Sequence, residues 1–211
     1  MTGILLSSIL GGFFACDVTA AGQIMISRPI FCAPIIGFLL GDVMAGFYVG
    51  VLMELLWISV VPLGNAVPPD STIVAVSATY LAAVSPFGDT KAYVLFLLLC
   101  LVPTGIIFKK IDMMHRDINS VFSRKLEERI DEGDFSWIDK ITYIGALIFI
   151  VKAAIFLFVI MVLGEQMFPV IFGLFSDRVV EVFENAYFAV PAIGIGTAFT
   201  TFIFKRSQSK R

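Results

Sequence analysis

Apolar residues fall along this chain in long runs separated by short polar or proline-bearing breaks. Gly3 to Ala15 opens the first run, which Asp17 interrupts, and Ile24 to Leu40 forms a second containing Arg28, Pro29 and Pro34. Val43 to Val61, Val67 to Val84 and Ala92 to Phe108 follow, then Ile141 to Leu163, the cleanest candidate span, and Tyr187 to Phe204. A helix crosses the hydrocarbon core with roughly 20 apolar residues. Met167 to Phe175 is too short for that, and Gly164, Pro169 and Gly173 punctuate the connection around it. Pro29, Pro34, Pro62, Pro68 and Pro69 break or kink helices, so the segments before residue 90 are poor simple spans. A broken helix at membrane depth is tolerated only where protein buries it or it lines a cavity.

One stretch departs from this pattern. Of the 32 charged residues, 15 lie between Lys109 and Lys140, seven basic and eight acidic, so that stretch is expected to meet water. Met114, Ile118, Phe122, Leu126 and Ile130 recur there at every fourth position with Val121 beside them, which predicts an amphipathic surface helix on the membrane or a partner. Residues 1–90 hold only Asp17, Arg28, Asp42, Glu54, Asp70 and Asp89, so each demands its own explanation. Beyond Lys140 the chain turns apolar again, with Lys152 and a patch of Asp177, Arg178, Glu181 and Glu184 as interruptions.

Composition narrows the class. The 211 residues are 58% hydrophobic and 15% charged, where a soluble chain is about a quarter charged. Together with 21 Phe and 17 Gly, this excludes a water-soluble globule, a collagen, a disordered tail, a disulfide scaffold and a nucleic-acid binder. The fold expected is an all-α, polytopic membrane bundle with broken or re-entrant segments in 20–90 and one cytoplasmic amphipathic helix. It divides into an N-terminal membrane region at 1–108, a cytoplasmic loop at 109–140, and a C-terminal membrane region with a basic tail at 141–211. Seven Lys/Arg in the loop and four in the tail put both on the cytoplasmic side, with two crossings between them and the Ser85–Thr90 turn outside. Phe14-Ala15-Cys16 faintly resembles a lipoprotein cleavage site, but no basic residue precedes it, so the N-terminal run is taken as a structural span.

Few residues offer chemistry. Glu54 sits in the apolar helix Val51–Trp57, where a carboxylate faces a cavity or a partner, and Arg28 is the one cation of the first 90 residues able to pair with it. Pro62 to Thr72 is the most unusual segment. Its prolines free backbone carbonyls, and Asn65, Asp70, Ser71 and Thr72 concentrate hydrogen-bonding groups of the kind that bind sugar hydroxyls, while Asp70 is equally placed to cap the next helix. Gly37-x3-Gly41 and Gly46-x3-Gly50 predict close helix approach around Asp42. Cys16, Cys32 and Cys100 read as small hydrophobes, and His115 as a solvated surface residue. With no P-loop, no G-x-S-x-G and no paired Cys and His, neither nucleotide hydrolysis nor a metal or cofactor site is expected.

Four blocks carry a resemblance: Ser27-Arg28-Pro29-Ile30, Leu40-Gly41-Asp42, Gly50-x3-Glu54-Leu55 and Gly64-x-Ala66-Val67-x-Pro69-Asp70, with Phe135-Ser136-Trp137-Ile138 beyond the charged loop. In order and spacing they resemble the IIC membrane subunit of the mannose/sorbose-type sugar phosphotransferase systems. The resemblance implies a channel subunit of a bacterial inner membrane, without a catalytic site of its own. It would work with a IID membrane subunit and soluble IIA and IIB phosphocarriers, and pass a hexose or related sugar for phosphorylation by IIB. It makes Glu54, Asn65 and Asp70 the sugar contacts, supported by Gly64, Ala66, Val67 and Pro69, with Arg28 and Asp42 structural. Asn65 and Pro68 stand where the family often has small residues. The chain is also shorter, by roughly two spans of about 20 residues, than IIC subunits of the best-known systems. Two alternatives remain: a shortened scaffold or sensor of the phosphotransferase system, and a gradient-driven sugar transporter. Oligomerisation with itself or with IID is expected, because the bundle otherwise shows polar surface to lipid.

Overall fold

In a computed structural model of the chain, residues 1–19, 24–58, 69–88, 90–131 and 136–208 are described; for 18–19, 116–131, 136–142 and 201–208 the description is of the backbone alone. Among the described residues seven helices follow one another: α1 (Thr2–Thr19), α2 (Pro29–Leu40), α3 (Val43–Trp57), α4 (Ser71–Val84), α5 (Lys91–Asp131), α6 (Ser136–Gly173) and α7 (Asp177–Gln208). The described residues contain no strand, in keeping with an all-α membrane bundle. Among the described residues three stretches are long and apolar enough to cross a bilayer: Lys91–His115, Tyr143–Gly173 and Asp177–Thr200. The first four helices are shorter apolar pieces, and α2 runs through Pro34 without a break.

α4 is the hub. Residues 72–82 are buried without exception, packed by α1, α2, α3, α5 and α6. Its sequence explains this, because Ala75, Ser77, Ala78, Thr79 and Ala82 are small enough for neighbours to approach on every side. A helix that is apolar all round belongs inside a bundle.

α2 and α3 form a tight hairpin joined by two residues that act as stop and start. Gly41 adopts the left-handed conformation (φ 86°) that ends α2, with the Asp42 amide returning to the Gly37 carbonyl at 2.8 Å. The Asp42 carboxylate then accepts the Ala45 amide at 2.9 Å and caps α3. Close approach falls on Gly37, Gly46 and Gly50. A Cβ on Gly46 would lie 2.5 Å from the Ala33 carbonyl and 2.8 Å from the Pro34 Cα. Gly41, paired with Gly37 in the sequence pattern, does not pack; a Cβ there would meet nothing within 4 Å, and the residue serves the cap instead.

α5 and α6 run antiparallel in a steady register. Tyr93 meets Phe172, Phe96 meets Phe168, Phe108 meets Phe156, and Asp112 meets Lys152, each pair nearly equidistant from the 132–135 connection. Two expectations change here. α5 continues from its apolar half to Asp131 without a break at residue 108, a helix of about 61 Å at 1.5 Å per residue. α6 likewise passes Gly164 and Pro169 to Gly173, absorbing all but the last two residues of the short Met167–Phe175 run. Pro169 removes one amide bond to the Glu165 carbonyl, and packing of Phe168 and Phe172 on Phe96 holds the turn. The charged stretch is also not wholly solvated, since Asp112 is only 2% exposed and His115 is half-buried. The amphipathic stripe from Ile118 to Ile130 lies outside the described side chains.

Gly46→Ala tests the α2–α3 crossing. It is expected to cost about 1–3 kcal/mol through overpacking, whereas Gly145→Ala, with nothing within 4 Å, leaves the melting temperature of the detergent-solubilised protein unchanged or slightly raised. Equal melting temperatures for the two variants would contradict the crossing.

Candidate functional site

The candidate site is built where the ends of α1, α2, α3 and α4 meet. α1 ends near Asp17, whose carboxylate accepts the Ile24 amide at 2.9 Å and the Ser27 hydroxyl at 3.1 Å. Those bonds hold the 24–28 turn, in which Met25 has a positive φ of 67°, a conformation costly for a side-chain-bearing residue unless its surroundings fix it. The turn delivers Arg28 as the residue before α2, with Pro29 in the first helical position.

Arg28 reaches across to α3. Its Nη2 lies 3.1 Å from Glu54 Oε1, and the two side chains are 47% and 15% exposed. Gly50 makes this reach feasible, because a Cβ there would stand 2.8 Å from the Pro29 carbonyl, and Glu54 lies one turn further along the same face. The second carboxylate oxygen, Oε2, is buried and accepts no hydrogen bond from the described residues. An ionised carboxylate has about four acceptor positions, so Glu54 is underused as placed.

Asp70 begins α4. Oδ1 accepts the amides of Thr72 (3.1 Å) and Ile73 (3.2 Å), and the Asp70 amide donates to the Gly105 carbonyl of α5 at 3.2 Å. Thr72 Oγ1 donates to the Ser27 carbonyl at 2.9 Å, which ties α4 to the turn that carries Arg28. Pro69 accepts a hydrogen bond from Trp57 Nε1 at 3.4 Å, joining the end of α3 to the same corner. Cys32, fully buried on α2, lies within electrostatic reach of both Asp70 and Glu54. Glu54, Arg28, Asp70 and Pro69 therefore belong to one corner of the bundle. Asp42 stands apart, as the cap of α3. Gly64, Asn65, Ala66 and Val67 lie outside the described residues.

A second polar group escaped the sequence reading. Lys152 Nζ lies 2.6 Å from Asp112 Oδ1, and Lys109 Nζ lies 3.9 Å from Asp112 Oδ2. Lys152 also stacks over Phe149 at 4.7 Å and Phe108 at 5.6 Å. Asp112 was hidden among the charges of 109–140, and its clue was Phe108 one turn before it, which continues the buried face of α5. Glu165, which accepts the Tyr80 hydroxyl at 3.1 Å, was likewise overlooked inside an apolar run. A groove of about 390 Å³ between α3 and α7 is lined by Leu55, Ile58, Ile195, Ala198 and Phe199. It has no polar side chain with which to orient a hydroxylated ligand. No cluster of metal-ligating side chains occurs among the described residues.

Known proteins share this architecture. The family described as PTS system sorbose-specific IIC component matches residues 1–207. N-acetylgalactosamine permease IIC component 1 of Escherichia coli (strain K12) is 23% identical over 169 residues, covering 80% of this chain and 61% of that protein. Putative N-acetylgalactosamine permease IIC component 2 of the same strain is 36% identical over 55 residues, 26% of this chain and 41% of that protein. The chain thus spans about three fifths or less of the length of these relatives. Among solved structures, one described as a membrane protein superposes with a TM-score of 0.75 at 15% identity, covering 94% of this chain and 77% of that one. The mannose transporter ManYZ in complex with microcin E492 gives a TM-score of 0.57 at 17% identity over the same shares. These superpositions speak for the fold, and the match over residues 1–207 speaks for the family: the chain belongs to the sorbose-specific IIC family of the phosphotransferase system.

Proposed function

We propose that the chain is the membrane-translocating IIC subunit of a phosphoenolpyruvate-dependent sugar phosphotransferase system, binding a hexose or related sugar at the corner formed by Glu54, Arg28 and Asp70. One observation carries the reading: Glu54 holds a buried carboxylate oxygen with no donor among the described residues, beside an arginine that is half exposed. A sugar hydroxyl supplies the missing donor, and Arg28 donates to a second hydroxyl without leaving Glu54. Asp70 spends one oxygen on the α4 cap and offers its other to the ligand. Asn65 adds an amide, with Gly64, Ala66, Val67 and Pro69 shaping the segment around it.

The chain has no group suited to accept and pass on phosphate, so phosphorylation falls to partners. Those are a IID membrane subunit and IIA and IIB phosphocarriers, with IIB presenting its phosphate at the cytoplasmic face. The 109–140 stretch and the basic tail lie on that side of a bacterial inner membrane, as their Lys and Arg residues favour. N-acetylgalactosamine and mannose, which appear in the names of relatives, head the sugars to test.

Uptake and phosphorylation are measured in cells lacking their own mannose-type system, with this chain expressed beside its cognate IID, IIA and IIB. Glu54→Gln is expected to lower uptake roughly 10- to 100-fold at unchanged membrane level, the worth of one charge-assisted hydrogen bond. Asp70→Asn retains a good capping residue and removes the charge, so it lowers uptake while the helix stays capped; Asp70→Ala additionally costs about 1 kcal/mol of stability. Absence of uptake for every hexose and amino sugar, despite a stable complex with IID, would leave a scaffold or sensor. Accumulation of unphosphorylated sugar without phosphoenolpyruvate would indicate gradient-driven transport. For orientation, a cysteine at Ser209 in a background lacking the three native cysteines is expected to react with a membrane-impermeant maleimide in inverted vesicles and not in intact spheroplasts.

A further inference from the structure

We infer that Asp112 and Lys152 form a positioning pair that sets the rotation of α5 and, through it, the start of α4 on which Asp70 sits. The argument begins at α6. A Cβ on Gly12 would stand 2.7 Å from the Ile150 carbonyl and 3.3 Å from the Ala154 amide, so α1 packs directly on the α6 backbone on either side of Lys152. α6 is thereby fixed, and Lys152 with it. Lys152 Nζ then holds Asp112 Oδ1 at 2.6 Å in a setting where Asp112 is almost wholly buried.

The other end of the coupling is backbone. Asp112 lies seven residues beyond Gly105, two turns along one face of α5. Gly105 accepts the Asp70 amide at 3.2 Å, and a Cβ on Gly105 would stand 2.8 Å from the Asp70 carbonyl and 2.9 Å from Val74 Cγ2. The contact with the first turn of α4 and the ion pair thus share a face, and no rotation of α5 changes one without the other. Lys109, between them, lies 3.9 Å from Asp112 Oδ2, and both Lys109 and Asp112 are within electrostatic reach of Asp70. An apolar contact here would tolerate several rotations, whereas the ion pair confines α5 to those that keep Asp112 within reach of Lys152.

The test is hydrogen exchange on the full chain in detergent micelles, comparing wild type with Asp112→Asn, Lys152→Met and the charge swap Asp112→Lys/Lys152→Asp. Loss of either charge is expected to speed exchange at the Thr72 and Ile73 amides at least tenfold, with the middle of α2 unchanged, and the swap to restore it to within threefold. Loosening confined to α5 and α6 near the pair, with Thr72 and Ile73 unmoved, would overturn the inference, as would a folded swap that leaves those amides fast. Should the single variants fail to fold, the swap alone decides by the same criterion. This readout stands whether or not the chain moves sugar. Resting on the proposed sugar site, a second expectation is that Asp112→Asn raises the apparent KM for uptake severalfold at unchanged membrane level, where a purely structural pair lowers the level and leaves KM alone.

Discussion

A helix that starts inside an apolar bundle presents its first amides where water does not reach them, and the Asp70 carboxylate on Thr72 and Ile73 is what makes the start of α4 tenable. Because α4 is the hub on which five other helices pack, its starting point fixes the corner around it. Two more of the sparse acids of the first 90 residues serve the backbone in the same way. Asp42 starts α3, and Asp17 holds the turn before α2. Short helices at membrane depth need such caps, which is why these charges occur where a simple spanning helix would have none.

Glu54 is the acid that does not follow this rule. Its bond runs to a side chain, not to an amide, and it leaves one oxygen unbonded by the described residues. The contrast separates the carboxylates by what they do for the fold: Asp17, Asp42 and Asp70 complete the backbone's hydrogen bonding, while Glu54 bonds a side chain across two helices. Asp112 and Lys152 satisfy each other at 2.6 Å and link two long helices instead of ending a short one.

Much of this was legible in the residues. The apolar runs gave the helices, the prolines marked the segments too broken to span, and the pairing of Arg28 with Glu54 followed from there being one cation for an intramembrane acid. Asp70 as a cap was visible from its place before Ser71 and Thr72. What stayed hidden depends on long-range packing. The central place of α4 arises from neighbours distant in sequence, which small residues permit but do not specify. Lys152 finds its partner 40 residues away, and Asp112, set in the chain among charges that read as solvated, is buried against it. Gly41 was read as a packing residue because a four-residue spacing does not distinguish a crossing from a cap. The Gly64–Val67 part of the candidate site remains an argument from sequence.

The even register of α5 and α6 bears on how this family can change length over evolutionary time. Residues added or removed symmetrically between Asp112 and Lys152 leave every pairing from Tyr93–Phe172 to Asp112–Lys152 in place. A single residue inserted between Gly105 and Asp112 turns the acid by about 100° around the helix, away from Lys152, and no compensating change in the connection restores it. Length variation among relatives should therefore collect between Asp112 and Lys152, with the two turns between Gly105 and Asp112 kept free of insertions and deletions.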